Sequence, residues 1–464
     1  MKQNRMIFVA AAMALCIGVS AKTYEADWES LNTRPCPQWW KDAKFGIFIH
    51  WGVYSVPAFA PCGKDSVYDC YAEHYANPRR WKDGSETVAY HSKHYPNKSY
   101  NDFAADFRAE NFDPSAWADL FRRAGAKYVV LTSKHHDGFA LWPSPESPYY
   151  NAVAMGPGRD LAREYCDAMA AEGLKRGFYF SMLEYANPLY PAKRDGAAGE
   201  GALSIGEWNR RVNMPQLREL AEKYRADIIW PDGEWDYTSA EHGSEAFLAW
   251  LYNESPVKDT VVANDRWGKD CRGKHGGHYT TEYLLEGGDA SGDSAVHPWE
   301  ECRGIGSSFG YNRYETPDHY MSREKCVETL VNCVSRGGNL LLNVGPTADG
   351  RIPAIMQDRL LAMGRWLEVN GEAIYATVKW DEAPKGLKSV YFTRKGGDLY
   401  LISFLAGRAP LSVKTGAVKS VTVLGAPAVK VEWSVKDGVL TVVPPAFAAG
   451  ECPCEFAPVL KIVR

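Results

Sequence analysis

The stretch Ile228-Ile229-Trp230-Pro231-Asp232-Gly233-Glu234-Trp235-Asp236 runs from apolar residues into three acids spaced two apart, with an indole on either side of the first. A carboxylate set against apolar surface is costly unless it is paired or does chemistry. Other apolar runs end on polar tips as well. Phe45–Ile49 leads into His50-Trp51-Gly52, Tyr128–Thr132 into Lys134-His135-His136-Asp137-Gly138, and Arg176–Ser181 into Glu184-Tyr185. Thr260–Ala263 leads into Asn264-Asp265-Arg266-Trp267, and Thr280-Thr281-Glu282-Tyr283 follows. Imidazoles, carboxylates, a guanidinium and indoles, without a cofactor motif, suit a sugar. Ring faces pack on its C–H surface while the polar groups hold its hydroxyls. Paired acids then point to glycoside hydrolysis.

Taken singly, each residue has a plainer explanation. His50 is the kind of histidine a core satisfies by hydrogen bonds, Asp232 can cap a turn with Gly233, and Arg266 can pair with Asp265. His135-His136 invites a metal, but adjacent strand residues point to opposite sides. One ring is therefore expected in the pocket and the other behind it, with no metal ligated. What weakens the plain explanations together is that all these tips fall at the same end of successive runs. Glu234 and Asp236 are expected behind or at the rim of the pocket.

The positions of the tips require a scaffold. Between residues 44 and 346 short β-rich runs alternate with helical stretches. Asp113-Pro114 supplies a helix cap followed by proline in the first turn, and that helix ends near Gly125. Asp160 to Ala171, Gln216 to Tyr224, Arg323 to Val334 and Ile355 to Val369 read as further helices. Strands alternating with helices over this length predict an α/β fold of the (β/α)8 TIM-barrel type, irregular because fewer than eight strands are clean. Active sites of such barrels lie at the carboxyl ends of the strands, where the polar tips fall. From about residue 375 the texture changes to hairpins, with Val390–Thr393 against Leu399–Ile402 and Val431–Val435 against Val439–Val443. The expected organisation is a signal segment at 1–21, a catalytic barrel at 22–372 and a small C-terminal β-sandwich at 373–464.

Composition narrows the partners. A net charge of −4 over 464 residues gives no electrostatic support for nucleic acid. The basic start Met1–Arg5, the apolar run Met6–Val19 and the small residues before Lys22 read as a secretory signal cleaved after Ala21. Leu15 before Cys16 speaks against lipoprotein processing, and no run is long enough for a membrane span. Asn97-Lys98-Ser99 and Asn253-Glu254-Ser255 match the glycan acceptor pattern of a secreted eukaryotic chain. Cys62/Cys70 and Cys326/Cys333 are candidate disulfides. No cysteine spacing resembles a zinc site, and no glycine-rich phosphate loop occurs.

Several motifs occur together in one order: Phe45-Gly46-Ile47-Phe48-Ile49-His50-Trp51-Gly52, Lys134-His135-His136-Asp137-Gly138-Phe139, Trp230-Pro231-Asp232-Gly233, Asn264-Asp265-Arg266-Trp267 and Trp299-Glu300-Glu301-Cys302. This set resembles the α-L-fucosidases of glycoside hydrolase family 29, from about residue 24 to the sandwich. The likeness to lysosomal-type members is strongest around Trp250 to Gly277. The resemblance implies a retaining, exo-acting hydrolase of fucosylated oligosaccharides or glycoconjugates, with no cofactor and Asp232 as nucleophile. It leaves two candidates for the acid/base, Glu282 and Glu300. It assigns His50, Trp51, Glu73, His135, His136, Tyr185, Trp230 and Arg266 to holding the sugar or bracing the groups that do. Phe48, Tyr71 and Phe309 match the pocket for the sugar's methyl group. One departure is that His74 follows Glu73 where many relatives carry tryptophan. The rival readings are a retaining barrel glycosidase for a related sugar such as α-L-galactose, a catalytically silent fucose-binding lectin, and a metal-dependent hydrolase.

Overall fold

Period-two alternation along eight short strands sorts the residues between 45 and 344 into two sets. In β1 (Phe45–Ile49), Ile47 and Ile49 face the surrounding helices while Phe48 faces inward. β2 (Tyr128–Lys134) turns Tyr128 and Val130 inward, β3 (Lys175–Ser181) Tyr179, and β4 (Ile228–Asp232) Ile228 and Trp230. The rest of the sheet is β5 (Val262–Ala263), β6 (Tyr279–Glu282), β7 (Trp299–Gly304) and β8 (Asn339–Val344). All pairings are parallel, in the order β5-β4-β3-β2-β1-β8-β7-β6. The computed structural model describes residues 22–464 except 64–66, 186, 193–198, 284–296, 385, 406 and 449. The expected signal segment therefore lies outside the described residues.

This is the (β/α)8 barrel, and its irregularity is concentrated at one place. β5 and β6 do not pair as strands. Gly277 N–H donates to the Ala263 carbonyl (3.1 Å). The Asp265 carboxylate accepts from Gly273 N–H (2.8 Å), Thr280 N–H (3.1 Å) and the Thr280 hydroxyl (2.7 Å). A side chain thus does at this seam what a backbone ladder does elsewhere.

Local chemistry fixes the helices where the sequence places them. Asp113 accepts from Ala116 N–H ahead of Pro114–Arg123, Asp160 from Arg163 N–H ahead of Leu161–Ala171, and Ser322 from Lys325 N–H ahead of Arg323–Ser335. Glycines permit two close approaches. A Cβ at Gly46 would overlap the Tyr128 ring inside the barrel, and one at Gly364 would overlap the Arg123 carbonyl where two helices cross.

The chain then builds two antiparallel sheets. One runs β13 (Ser420–Val423), β16 (Val459–Val463), β11 (Asp398–Ser403), β10 (Val390–Lys395), β9 (Val378–Lys379). The other runs β12 (Leu411–Lys414), β15 (Val439–Val443), β14 (Glu432–Lys436). Leu399, Leu401, Leu460 and Ile462 fill the sandwich interior, while Tyr400, Ile402 and Val459 face the barrel helices and join their core. Trp366 Nε1 donates to the Phe456 carbonyl (2.9 Å) across this contact.

The expected disulfides are absent among the described residues. Cys326 and Cys333 lie seven residues apart on one helix, about 10.5 Å of rise, beyond what a disulfide spans. Cys62 directs its sulfur instead to Asn312 Nδ2 (3.5 Å). No helix among the described residues is long and apolar enough to cross a membrane.

Candidate active site

The alternation that packs the barrel also delivers its chemistry. Ile228 and Trp230 point inward on β4, so Asp232 does too, one layer nearer the mouth. There a cavity of about 560 Å³ opens at the carboxyl ends of the strands. Phe48, His50, Tyr71, Glu73, His135, His136, Trp230, Asp232, Arg266, Glu282 and Phe309 line it, so most of the sequence-derived site converges.

Asp232 is fully engaged. Arg266 Nη1 donates to its Oδ1 (2.6 Å) and the Tyr179 hydroxyl to its Oδ2 (2.8 Å). Arg266 beside it, with His136 and the Tyr179 hydrogen bond, outweighs burial and holds the carboxyl well below the usual range. Arg266 Nη2 reaches Glu282 Oε2 (3.2 Å), and Nε donates to Thr280 Oγ1 (3.0 Å). The guanidinium also lies 4.6 Å over the Trp230 ring. One arginine therefore bridges two carboxylates across the cavity floor. The Tyr71 hydroxyl donates to Glu282 Oε1 (2.8 Å).

Glu300 is placed differently. β6 and β7 pair Thr280 with Glu300 and Glu282 with Cys302. Glu282 and Cys302 are thus level at the cavity, and Glu300 lies one layer deeper. It is 1% exposed, beneath the floor, and does not line the cavity. Its carboxylate accepts from the Trp230 indole N–H (3.0 Å) and the Tyr128 hydroxyl (2.5 Å).

The histidines correct an expectation. Both His135 and His136 line the cavity, with ring centroids 4.2 Å apart. They lie past the end of β2, beyond a register shift between Thr132 and Lys134, where strand alternation no longer applies. Neighbours define their protons. Ser181 gives its only hydroxyl hydrogen to the Leu183 carbonyl (2.6 Å), so His136 Nδ1, 2.6 Å from Ser181 Oγ, is the donor and Nε2 keeps a lone pair. Asn343 gives its amide to the Phe309 carbonyl, so its oxygen accepts from His50 Nδ1 (2.7 Å). Burial pushes His50 down to about 3 and His136 to about 4, which leaves both neutral and able to accept from hydroxyls.

Glu73 accepts from Gly310 N–H (2.7 Å) and Ser308 Oγ (3.2 Å), and burial pushes its carboxyl up to about 7. Two expected contacts fall outside the cavity lining. Trp51 packs against Phe107, Phe112 and Trp117 and donates to the Thr347 carbonyl (2.8 Å), because the chain leaves the barrel axis after His50. Tyr185 stands behind His74, its hydroxyl 3.2 Å from Nδ1. Glu184 forms a buried pair with Lys134 (2.7 Å). Sequence reasoning did not place Tyr179, Tyr68 and Arg272 in the cavity, and it noted Trp235 only as an indole beside Asp232 and His74 only as the departure after Glu73. Tyr179 carried a signal of its own, as an inward-facing polar ring on a strand. Glu234 is buried near Asp232, and burial together with that negative charge raises its carboxyl.

A parallel barrel whose mouth holds two bridged carboxylates among aromatic rings and neutral histidines defines the class of barrel glycosidases. A family model described as "Alpha-L-fucosidase" matches residues 11–372, and the chain belongs to that family. It is 39% identical to the tissue alpha-L-fucosidase of Rattus norvegicus, over 99% of this chain and 96% of that protein. It is 42% identical to the alpha-L-fucosidase of Dictyostelium discoideum, over 81% and 79%. The crystal structure of Thermotoga maritima alpha-fucosidase in complex with fucose superposes with a TM-score of 0.78 at 36% identity, covering 95% of this chain and all of that one.

Proposed function

We propose that this chain is a retaining, exo-acting α-L-fucosidase in which Asp232 attacks the anomeric carbon and Glu282 serves as acid/base. The observation that carries the reading is the Arg266 bridge, which holds an ionised Asp232 and Glu282 on one cavity floor. A single guanidinium can bridge only carboxylates that lie close together, and the retaining reaction requires roughly 5–5.5 Å between them. In the first step an Asp232 oxygen bonds to C1 as the C1–O bond to the aglycone breaks. The proton of the Glu282 carboxyl passes to the departing oxygen. In the second step water, deprotonated by Glu282, attacks C1 from the aglycone side and releases Asp232, so the α configuration is kept. The neutral imidazoles of His50 and His136 accept from sugar hydroxyls, and Arg266 donates.

Phe48, Tyr71 and Phe309 pack together, with centroids 6.3 Å between Phe48 and Phe309 and 5.2 Å between Tyr71 and Phe309. That apolar wall suits the C6 methyl of fucose and offers little to the extra hydroxyl of L-galactose, so the galactosidase reading is not favoured. The intact carboxylate pair speaks against a silent lectin. Substrates are terminal α-L-fucosides of glycans and glycoconjugates, and the leader motif at 1–21 supports export.

The test is turnover of an aryl α-L-fucoside, with the anomer of the first-formed fucose followed by NMR. Asp232→Gly is expected to lose nearly all turnover while keeping its fold, and azide is expected to restore it with β-fucosyl azide as product. Near-normal activity in Asp232→Gly, or β-fucose as the first product of the unaltered enzyme, would overturn the reading.

A further inference from the structure

His74, His135 and His136 form a cluster that the hydrolytic reaction does not require as a unit. Each offers one ring nitrogen such that the three atoms lie within 4.8 Å of one another, all on the wall of the sugar cavity. We propose that these three histidines constitute a facultative site for a borderline divalent transition ion, such as Zn2+, Co2+ or Ni2+, and that the bound ion and the sugar exclude each other.

Three observations carry this. First, His136 Nε2 holds its lone pair toward Asp232 Oδ2 at 3.6 Å. Asp232 Oδ2 already accepts from the Tyr179 hydroxyl (2.8 Å), which spends its one proton there and leaves the His136 lone pair to a sugar hydroxyl or to a cation. Second, His135 Nδ1 is buried and has no hydrogen-bond partner. Third, the rings are already packed together: His74 meets His135 (5.8 Å) and His136 (5.2 Å) edge to face, and His135 stacks on Tyr179. Neutral imidazole is the form that binds such metals, at about 2.0–2.1 Å. Three ligands at that distance stand about 3.4 Å apart around a tetrahedral ion, so the cluster needs to contract by little more than an ångström. His74, whose Nδ1 meets the Tyr185 hydroxyl (3.2 Å), is the ring that would shift, since it sits on a short 3-10 turn, Ala72–His74, rather than at a strand end.

The remaining positions of the ion face the cavity, where the sugar would lie. The ion is thus an inhibitor, and no step of hydrolysis passes through it. The site rests on the proposed function only for its consequence, the competition with fucose.

The experiment is a titration of the EDTA-stripped full chain with Co2+, read by the visible absorption of imidazole-coordinated cobalt. One Co2+ per chain is expected, displaced by L-fucose. His74→Phe is expected to weaken binding at least tenfold. Replacing the exposed Cys452 and its neighbour Cys454 by serine is expected to leave binding unchanged, which separates the cavity from the other surface where metals would bind. In turnover assays Zn2+ is expected to raise the apparent KM with kcat unchanged, reversibly with EDTA. Binding that survives His74→Phe, that fucose does not displace, or that vanishes with the serine variants would overturn the site. Fucose competition uses the unaltered protein, so the test stands if His74→Phe fails to fold. The cobalt band needs no turnover, so a silent fucosidase assay would sink the proposed function alone, and a missing band would sink this site alone.

Discussion

Glu282 and Glu300 carry the same functional group on neighbouring strands, and a two-residue offset gives them different environments. Glu282 meets the cavity, and Glu300 holds the Trp230 indole from below. Glu282→Gln is therefore expected to depress kcat/KM on fucosides with poor leaving groups by roughly 10²–10⁴-fold, and far less on activated aryl fucosides that need no protonation. Glu300→Gln is expected to depress both kinds alike, because it acts through Trp230 and Arg266. The reverse pattern across a leaving-group series would exchange the two roles. A second expectation concerns acid. Asp232 stays ionised well below the usual carboxylate range, so its protonation does not set the acid limb. As pH falls through about 4, His136 gains a proton and with it a positive charge beside Asp232. Asp232, the proposed nucleophile, then loses reactivity, so kcat/KM should decline near pH 4, and His136→Gln should shift that limb. A limb centred near 6.5 would rule this origin out. Asp232 was legible in the sequence because an acid ending an apolar strand is conspicuous. The choice between the two glutamates was not, because it depends on the register of two polar strands. His74 was noted as the departure after Glu73, but its meeting with His135 and His136 was not legible, because it lies on an isolated turn with no periodic pattern around it.

Among the elements, the apolar strands β1 to β5 and most helices were legible from alternation and capping. β6 and β7 were not. Tyr279–Glu282 and Trp299–Gly304 read as polar segments because their inward residues belong to the site and because Glu301, on the other face, is matched to the Thr281 hydroxyl. The seam between β5 and β6 follows from the same polarity. Asp265 ties it together and sits next to Arg266, so the seam positions the arginine. Asp265→Ala leaves buried donors unpaired at about 1–3 kcal/mol each. A lower Tm together with a lower kcat is expected, measured by calorimetry and steady-state kinetics. A fall in Tm with kcat intact would show that Arg266 is held by other contacts.

At the scale of the whole molecule, the barrel and the sandwich share one core. Tyr400, Ile402, Ala457 and Val459 belong to the cluster that packs the barrel helices. The sandwich was legible from its hairpins, but its dependence on the barrel was not, since alternation shows that a strand has two faces and not what each one meets. A single calorimetric transition is expected, with equal calorimetric and van't Hoff enthalpies. Two resolved transitions would mean that the shared cluster does not couple the parts. The same packing sets the order in which the thiols become reactive. Seven cysteines are buried at separate places: Cys36, Cys70, Cys166, Cys271, Cys302, Cys326 and Cys333. Burial also raises the thiols of Cys36, Cys166, Cys271 and Cys326 to about 12, so little thiolate is present even when water reaches them. An alkylating reagent meets Cys452 at once and each buried sulfur only when its own neighbourhood opens. The chain thus carries its own set of clocks, and the order of mass increments in a labelling time course would read out where the barrel first comes apart, with Cys271 reporting on the seam and Cys166 on the opposite wall.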